Sequence, residues 1–310
     1  MKTSVRGIHH VTAIAGDAQE NLNFYAGVMG MRLVKKSVNQ DAPDTYHLFY
    51  ADGVGNPGTD LTFFPWPAMP PAKLGIGLTV EVPFAVPIGA LAYWQERFAK
   101  NKIAFGNIET RFGEKVLPFK DPHGLQLALA ETGDEREFVA WNESAVPPEY
   151  QLRGMHAVRL WERDLKPTER LLTQVMRFAQ IGAEDGWHRY GVEGGTSGKI
   201  IELKELPHER RGQWGTGGVH HVAWRTKDSA ESILTLANEF DQKDFAFFAP
   251  RAGGAGGTWY PNRFLAPTAS NEPWLSPARR FFSAAVMSIF TFPKSACNMR
   301  LIRLKLWAAT

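Results

Sequence analysis

A short motif that recurs along the chain constrains its fold more than any other feature. Residues 7–11 read GIHHV, residues 154–158 read GMHAV and residues 218–222 read GVHHV. An acidic turn and then a helical spacing of apolar residues follow each motif, and a weaker unit runs from about residue 78 with a helix over 90–100. Each unit predicts a strand, a helix and several strands. Units of roughly 60 to 75 residues indicate a repeated supersecondary structure of the α+β class.

The repeat predicts how the chain is divided into domains. Residues 5–132 are expected to form a first domain of two units, and residues 133–150 a linker. Residues 151–244 are expected to form a second domain, with the third unit and the start of a fourth. A chain of 310 residues is long enough for two domains with cores of their own.

Charge is distributed unevenly along the chain. Residues 245–310, which we call the tail, hold eight Lys or Arg residues and one acidic residue, Glu272, for a net charge of +7. The rest of the chain holds 27 basic and 31 acidic residues, for a net charge of −4. The overall charge of +3 is therefore the sum of an ordinary, slightly acidic body and an unusual basic tail. It predicts no nucleic-acid partner.

The sequence also predicts the compartment. The first residues lack the apolar stretch of a signal peptide, and the longest apolar run, residues 281–292, is shorter than the ~20 residues that span a bilayer. The single cysteine, Cys297, argues against a disulfide framework and a cysteine-rich zinc site. We therefore expect a cytoplasmic protein with no membrane partner.

The paired histidines are the candidate metal ligands. Neighbouring side chains of a strand point to opposite faces, so one histidine of each pair, at 9–10 and at 220–221, is expected to face the concave side of a sheet. If the two strands lie side by side, two imidazoles can meet. With one carboxylate they form a facial triad, which leaves positions open on a ferrous ion for substrate and dioxygen. The other histidine of each pair is expected to orient a ligand or to move a proton.

Other residues carry weaker signals. We expect His156, which has no histidine neighbour, to be a hydrogen-bonded core residue, and His123, in a turn, to be solvated. The three histidines without a spacing signal are His47, His188 and His208. A cluster of aromatic residues is expected to be core rather than a substrate pocket: Phe49, Tyr50, Phe63, Phe64 and Trp66. The sequence has neither a phosphate-binding loop nor a serine-nucleophile elbow.

Several motifs in order resemble the vicinal oxygen chelate superfamily, which includes glyoxalases, bleomycin resistance proteins and extradiol dioxygenases. The resemblance is to its ring-cleaving dioxygenases of hydroquinone- and catechol-type substrates. The matching segments are residues 7–12, 23–25, 31–39, 46–50, 55–59, 61–66, 210–215 and 219–223. The resemblance implies tandem βαβββ modules in open, cupped sheets, as two domains of paired modules. In such dioxygenases the first and fourth modules share the metal site.

The resemblance also implies roles for residues. His10 and His221 match the two histidine ligands of Fe(II), with Mn(II) as an alternative, and His9 matches a histidine beside the metal. We assign His9 and His220 as candidates for acid–base or orienting roles. The implied partners are a small aromatic substrate and dioxygen, and a homo-oligomer is compatible with the sequence.

The third ligand of the family is a glutamate on the last strand of the fourth module, and the segment that carries it is missing here. Glu272 falls near the expected distance from His221, but the following Pro273 disfavours a central strand. Glu202 lies on the equivalent strand of the third module and could form a partial second site with His156, although we expect it to be structural. We hypothesise that the reading frame is lost near residues 241–248, which predicts an incomplete fourth module and weak or absent activity. Sequencing the locus tests this hypothesis.

Two other classes of function stay open at the level of sequence. A glyoxalase-like lyase or isomerase would require a second glutamate, and residues 60–63 offer none at the expected place. A binding-only protein, as in drug-sequestering relatives, would need no metal. Metal analysis separates this class from the enzymes.

Overall fold

The computed structural model describes residues 5–39, 42–226, 247–248, 285–290 and 302–306. The first module contains β1 (Val5–Ala15), α1 (Ala18–Leu22) with a following π-helical segment (Asn23–Val28), β2 (Arg32–Val38), β3 (Tyr46–Ala51) and β4 (Asp60–Pro65). The second contains β5 (Thr79–Pro87), α2 (Leu91–Lys100), β6 (Glu109–Arg111), β7 (Glu114–Lys120) and β8 (Gln126–Thr132). The third contains β9 (Ala157–Glu162), α3 (Lys166–Gln174), β10 (Ala179–Glu184), β11 (Trp187–Gly191) and β12 (Ile200–Glu205). The predicted βαβββ order is confirmed in all three.

The strands form two eight-stranded sheets. Further strands are β13 (Val219–Thr226), β14 (Phe247–Phe248), β15 (Ala285–Phe290) and β16 (Ile302–Leu306). The first sheet has the order β14-β16-β15-β13-β1-β4-β3-β2, and the second has the order β10-β11-β12-β9-β5-β8-β7-β6. The antiparallel pair β1–β13 thus joins the first module to the fourth, and β5–β9 joins the second to the third. The predicted domain boundaries stay a prediction.

The fourth module departs from the pattern of the other three. In those three the first strand pairs in parallel with the last, as β1–β4, β5–β8 and β9–β12. In the fourth, β13 pairs antiparallel with β15, and Phe290 lies opposite His221. The sequences of β15 and β16, AVMSIF and IRLKL, contain no Asp or Glu. The strand beside β13 therefore does not supply the acidic ligand that the resemblance implies.

The glycines of the repeated motif are required by close backbone approaches. Gly7 and Gly154 have φ values of +121° and +100°, which favour glycine. A Cβ atom at Gly7 would lie 2.6 Å from the carbonyl oxygen of Gly198, and one at Gly154 would lie 2.6 Å from that of Gly58. Because the N–H groups of the following residues donate to the same two carbonyls, the motif ties the modules together.

Alternation along β3 and β4 sorts the aromatic cluster onto two faces. Tyr50 and Phe63 are fully buried, and their rings lie 5.3 and 4.5 Å from the ring of Tyr25 in the helical segment. Phe49 and Phe64 face the other side of the sheet, against the ring of His47. The prediction of plain core therefore holds only for the helix-facing members.

The side chain of His123 is largely buried, although the residue as a whole is half-buried, so the prediction of a solvated side chain is wrong. Its side chain is 7% exposed, and its Nε2 lies 3.3 Å from a carboxylate oxygen of Glu20. The turn that carries it packs on the first module, where the Tyr25 hydroxyl donates to Asp121 at 3.0 Å. The contact between modules therefore covers the His123 side chain and Asp121, while Pro122 and Gly124 stay exposed.

The predicted linker is fastened to the modules on both sides. The Val139 N–H donates to Asp52 at 2.9 Å, and the Ser144 hydroxyl donates to the Gly30 carbonyl at 2.7 Å. Arg136 donates to the Met155 carbonyl at 2.8 Å, at the start of the third module. In the described part of the chain, no helix is both long enough and apolar enough to cross a membrane.

A buried ionic network occupies the second sheet near His156. Arg159 and Arg189 donate to the two carboxylate oxygens of Glu202 at 2.8 and 2.9 Å. Arg189 also donates to Glu114 at 2.7 Å, and Glu114 lies 3.2 Å from Nε2 of His156. Since both oxygens of Glu202 bind arginine, the expectation that Glu202 is structural is confirmed.

We predict that Glu202→Gln strongly destabilises the protein. The substitution leaves two buried arginines with one carboxylate fewer, and breaking a buried ion pair costs about 3–5 kcal/mol. The matched control is Glu193→Gln, because Glu193 forms ion pairs with Arg6 and Lys199 at the surface and should change stability by less than about 1 kcal/mol. Urea unfolding of both variants measures the difference, and equal losses would contradict the interpretation.

The same network predicts an acid-dependent loss of stability. Burial alone raises the pKa of Glu114, but hydrogen bonds from His156 and Arg189 outweigh it and lower that pKa to about 2. A lowered carboxyl pKa stabilises the fold above the unfolded-state value near 4.5, and this stabilisation disappears as the pH falls from there towards 2. Glu114→Gln should therefore flatten the dependence of the unfolding free energy on pH between 4.5 and 2, by about 1 to 2 kcal/mol, since solvent screens the partly exposed carboxylate. An unchanged slope would show that Glu114 does not titrate in this way.

Candidate metal centre

Each paired-histidine motif contains a β-bulge. Where β1 pairs with β13, the register shifts between Ile8 and His10 and again after Thr12. His9 is the extra residue of the bulge in β1, and His220 is the extra residue of the bulge in β13. Bulges re-aim side chains and are common next to active sites. The expectation of simple alternation is therefore wrong at both histidine pairs.

The bulges bring the two predicted ligands together. Nε2 of His10 lies 3.2 Å from Nε2 of His221, and both residues are 6% exposed. Two imidazoles that share a metal at roughly 2.0–2.1 Å place their nitrogens about 2.9 to 3.4 Å apart, for angles between a right angle and the tetrahedral angle. The observed separation lies within this range. The geometry thus fits two histidine ligands of one metal ion.

The remaining histidine of each pair holds its neighbour through the other ring nitrogen. Nδ1 of His9 lies 3.0 Å from Nδ1 of His10, and Nδ1 of His220 lies 2.8 Å from Nδ1 of His221. Burial, followed by the charge of Arg225, lowers the pKa of His9 to about 4, so its ring is neutral at neutral pH. A hydrogen bond at Nδ1 fixes the tautomer and orientation of a ring whose Nε2 faces a metal.

The described residues contain no third acidic ligand beside these histidines. No group of three or more His, Cys, Asp or Glu side chains within them could hold a metal. Asp60 lies level with His10 on β4, but burial and the charge of Asp52 raise its pKa well above the usual value, which favours the neutral acid. Glu272 lies outside the described residues. The described part of the site therefore fits two of the three ligands of the facial triad.

A row of hydroxyl groups leads from the ligands across the sheet. The Thr12 Oγ1 lies 3.1 Å from Nε2 of His221 and 2.7 Å from the Thr62 Oγ1, which lies 2.9 Å from Nε2 of His47. All four residues are buried. The sequence analysis missed His47, Thr12 and Thr62. The available signal was the period-two alternation that places His47 with Phe49, and Thr62 with Phe64, on one face.

Aromatic rings line the same face, and we call Phe49, Phe64, Trp66 and Trp214 the aromatic wall. The His220 ring stacks on Trp214 at 4.6 Å and meets Phe64 edge-on at 5.1 Å. The Trp66 and Trp214 N–H groups donate to Thr45 and to the Val219 carbonyl, which fixes both rings. Flat apolar surfaces beside a polar centre suit an aromatic ligand.

Comparisons with known proteins agree with this arrangement. A sequence model of the Glyoxalase/Bleomycin resistance protein/Dioxygenase superfamily matches residues 7–129. MhqO of Bacillus subtilis, named as a ring-cleaving dioxygenase, is 41% identical over 233 residues, which are 75% of this chain and 73% of MhqO. Chlorohydroquinone/hydroquinone 1,2-dioxygenase of Sphingobium indicum is 32% identical over 232 residues, which are 72% of this chain and 71% of that enzyme.

Solved structures show the same fold. A crystal structure from Bacillus subtilis, described as that of a dioxygenase, has a TM-score of 0.77 and 32% identity, and covers 98% of this chain and 86% of that chain. Glyoxalase I from Zea mays has a TM-score of 0.61 at 12% identity, and the match covers 96% of this chain and 92% of that chain. The chain belongs to the Glyoxalase/Bleomycin resistance protein/Dioxygenase superfamily. Within it, the relatives that match most of its length support an oxidoreductase of the ring-cleaving dioxygenase type.

We predict graded losses of metal binding in this centre. His10→Ala and His221→Ala each remove one of two converging nitrogens and should abolish measurable Fe(II) binding. His9→Ala removes only the support of His10 and should weaken affinity about 10- to 100-fold. Titration of the apoprotein with Fe(II) under anaerobic conditions measures all three. His188→Ala, on the second sheet, is the control, and equal affinity in all variants would contradict the assignment.

Proposed function

We propose that this chain is an Fe(II)-dependent, extradiol-type ring-cleaving dioxygenase of hydroquinone- or catechol-like aromatics. The observation that carries the proposal is the convergence of the His10 and His221 Nε2 atoms at 3.2 Å beside the aromatic wall. The names of the relatives support the same class of reaction. Mn(II) is an alternative metal, although two imidazole ligands favour iron over manganese, which prefers oxygen ligands.

The residues of the chain divide the work. His10 and His221 would hold the metal, and His9 and His220 keep those rings in one orientation through their Nδ1 atoms. When bound, a ferrous ion supplies the positions at which a dihydroxylated ring and dioxygen meet. The aromatic wall positions the ring and excludes water, and Thr12 offers a hydroxyl to a ring oxygen.

The described ligands are all neutral, which predicts weak activity. A carboxylate would offset part of the charge of a divalent ion, and a buried charge without compensation is costly. Two imidazoles alone therefore predict loose metal binding and slow turnover in this chain. A binding-only role gains support from the same observation. Aromatic-ligand binding that persists after EDTA removes the metal would favour this role over the dioxygenase.

The test combines metal analysis with oxygen uptake. The purified protein is loaded with Fe(II) without air and then mixed with hydroquinone, chlorohydroquinone or catechol. We expect slow oxygen uptake and a ring-opened product that disappear in His10→Ala. Stoichiometric iron with rapid turnover would contradict the expected weakness. Hydroquinone binding without oxygen uptake would contradict the proposed function itself.

We predict that a new carboxylate at Thr12 strengthens metal binding. The Thr12 Oγ1 lies 3.1 Å from Nε2 of His221, so Thr12→Asp places an acid beside the nitrogen at which the two imidazoles converge. Fe(II) affinity should rise at least about 10-fold, because an anionic oxygen ligand offsets the metal charge. Thr12→Asn is the matched control, since it has the same shape without the charge. Equal affinities for the two variants would show that the site does not lack negative charge.

A further inference from the structure

We propose that His47 receives the proton that a ring hydroxyl loses when a dihydroxylated aromatic enters the metal centre, with Thr12 and Thr62 as the relay. This inference rests on the proposed function and deepens it. It assigns a residue outside the repeated histidine motifs, one that reaches the centre through Thr62 and Thr12 rather than through the Nδ1 atoms that His9 and His220 contact.

The relay crosses four neighbouring strands, β3, β4, β1 and β13. Thr62 on β4 is level with Thr12 on β1, and Thr12 lies opposite His221 on β13. His47 lies on β3, two residues before Phe49, which is the residue opposite Thr62. The Thr12 and Thr62 hydroxyls are 2.7 Å apart, and Thr62 is 2.9 Å from Nε2 of His47. Both threonines are fully buried, so the line is shielded from competing water.

Each threonine hydroxyl both donates and accepts a hydrogen bond, which allows a proton to be passed along the line. The ring O–H bond breaks as Thr12 Oγ1 accepts its proton, Thr12 gives its own proton to Thr62, and Thr62 gives its proton to Nε2 of His47. One O–H bond is lost on the ring and one N–H bond forms on His47. The step is a proton transfer alone, and no oxidant or reductant is consumed.

His47 is the member of this line that can store a proton. Threonine does not hold a positive charge at neutral pH, whereas imidazole changes charge in that range. The His47 ring lies 3.9 Å from the Phe49 ring and 4.4 Å from the Phe64 ring. Contact with aromatic rings stabilises a cation, which favours the imidazolium that the transfer produces.

The ligand histidines leave Thr12 available for this role. In the described structure Thr12 contacts Nε2 of His221, the same nitrogen that would bind a metal. Once that lone pair is used by a metal, the Thr12 hydroxyl bonds another oxygen instead. His9 and His220 contact the Nδ1 atoms of the ligands and lie off the hydroxyl row.

The test compares His47→Gln, which retains a hydrogen bond to Thr62 but cannot accept a proton, with Thr62→Val, which interrupts the row. His188→Gln on β11 is the matched control. With Fe(II)-saturated protein and hydroquinone, each of the first two variants should lower kcat about 100-fold or more with little change in KM. The double variant should be no slower than either single variant, because both changes remove one pathway. With chlorohydroquinone, whose hydroxyls are more acidic, the same variants should show a smaller decrease in kcat.

A second readout does not need turnover. The absorbance of 4-nitrocatechol reports its ionisation, and the wild-type protein with Fe(II) under anaerobic conditions should bind it with one more proton removed than His47→Gln does. Thr62→Val should match His47→Gln, and it provides the comparison by itself if His47→Gln does not fold.

Two results overturn this inference alone: equal ionisation of 4-nitrocatechol in the wild type and both variants, or additive losses of kcat with the same factor for both hydroquinones. Either result would mean that His47 and Thr62 have a structural role only. Failure of the wild-type protein to bind 4-nitrocatechol overturns the proposed function and this inference together. Ionisation of the probe without turnover of any hydroquinone retains the relay and contradicts the dioxygenase activity.

Discussion

The antiparallel pairing of β1 with β13 is the contact on which the candidate metal centre depends. It joins strands more than 200 residues apart, and the two bulges within it make His10 and His221 converge. With regular pairing, a neighbouring histidine would point to the opposite face and could not reach the ligand beside it. The irregularity therefore directs the Nε2 atoms of both ligands towards one point and gives each ligand a contact at Nδ1, and the backbone pairing fixes this orientation.

The two sheets use the same repeated unit for different electrostatic purposes. Near His156, opposite charges on Arg159, Arg189, Glu114 and Glu202 satisfy one another, so that region is internally neutral. Near His10 the described polar groups are imidazoles, the Thr12 and Thr62 hydroxyls and Asp60, whose raised pKa favours the neutral acid, and the charge of Arg225 acts on His9. In the second sheet the polar groups of the repeated unit are thus used up in ion pairs. In the first sheet the imidazole nitrogens of two units face each other and can bind a metal.

The repeated modules could be predicted from the sequence, because the glycine at the start of each motif and the period-two alternation are local signals. The sequence was also sufficient for the convergence of His10 and His221, since the duplicated motif implied neighbouring strands. It was insufficient for the bulges, which arise from how two distant strands pair. The same reason hid His47, whose partner Thr62 lies on another strand, and the burial of His123, which depends on a contact between modules.

β15 contains no acidic residue, and Asp60, level with His10, has a raised pKa that favours the neutral acid, so the described neighbours of His10 offer little negative charge to a metal. A divalent ion held by neutral imidazoles keeps its full charge in a buried site, and removing a proton from a bound ring hydroxyl is then the nearest source of compensating negative charge. The proton must leave the ring for the compensation to be realised. In the proposed relay, a hydroxyl row that ends on an imidazole gives this proton a destination within the protein, so a centre without a carboxylate ligand would depend more strongly on Thr12, Thr62 and His47.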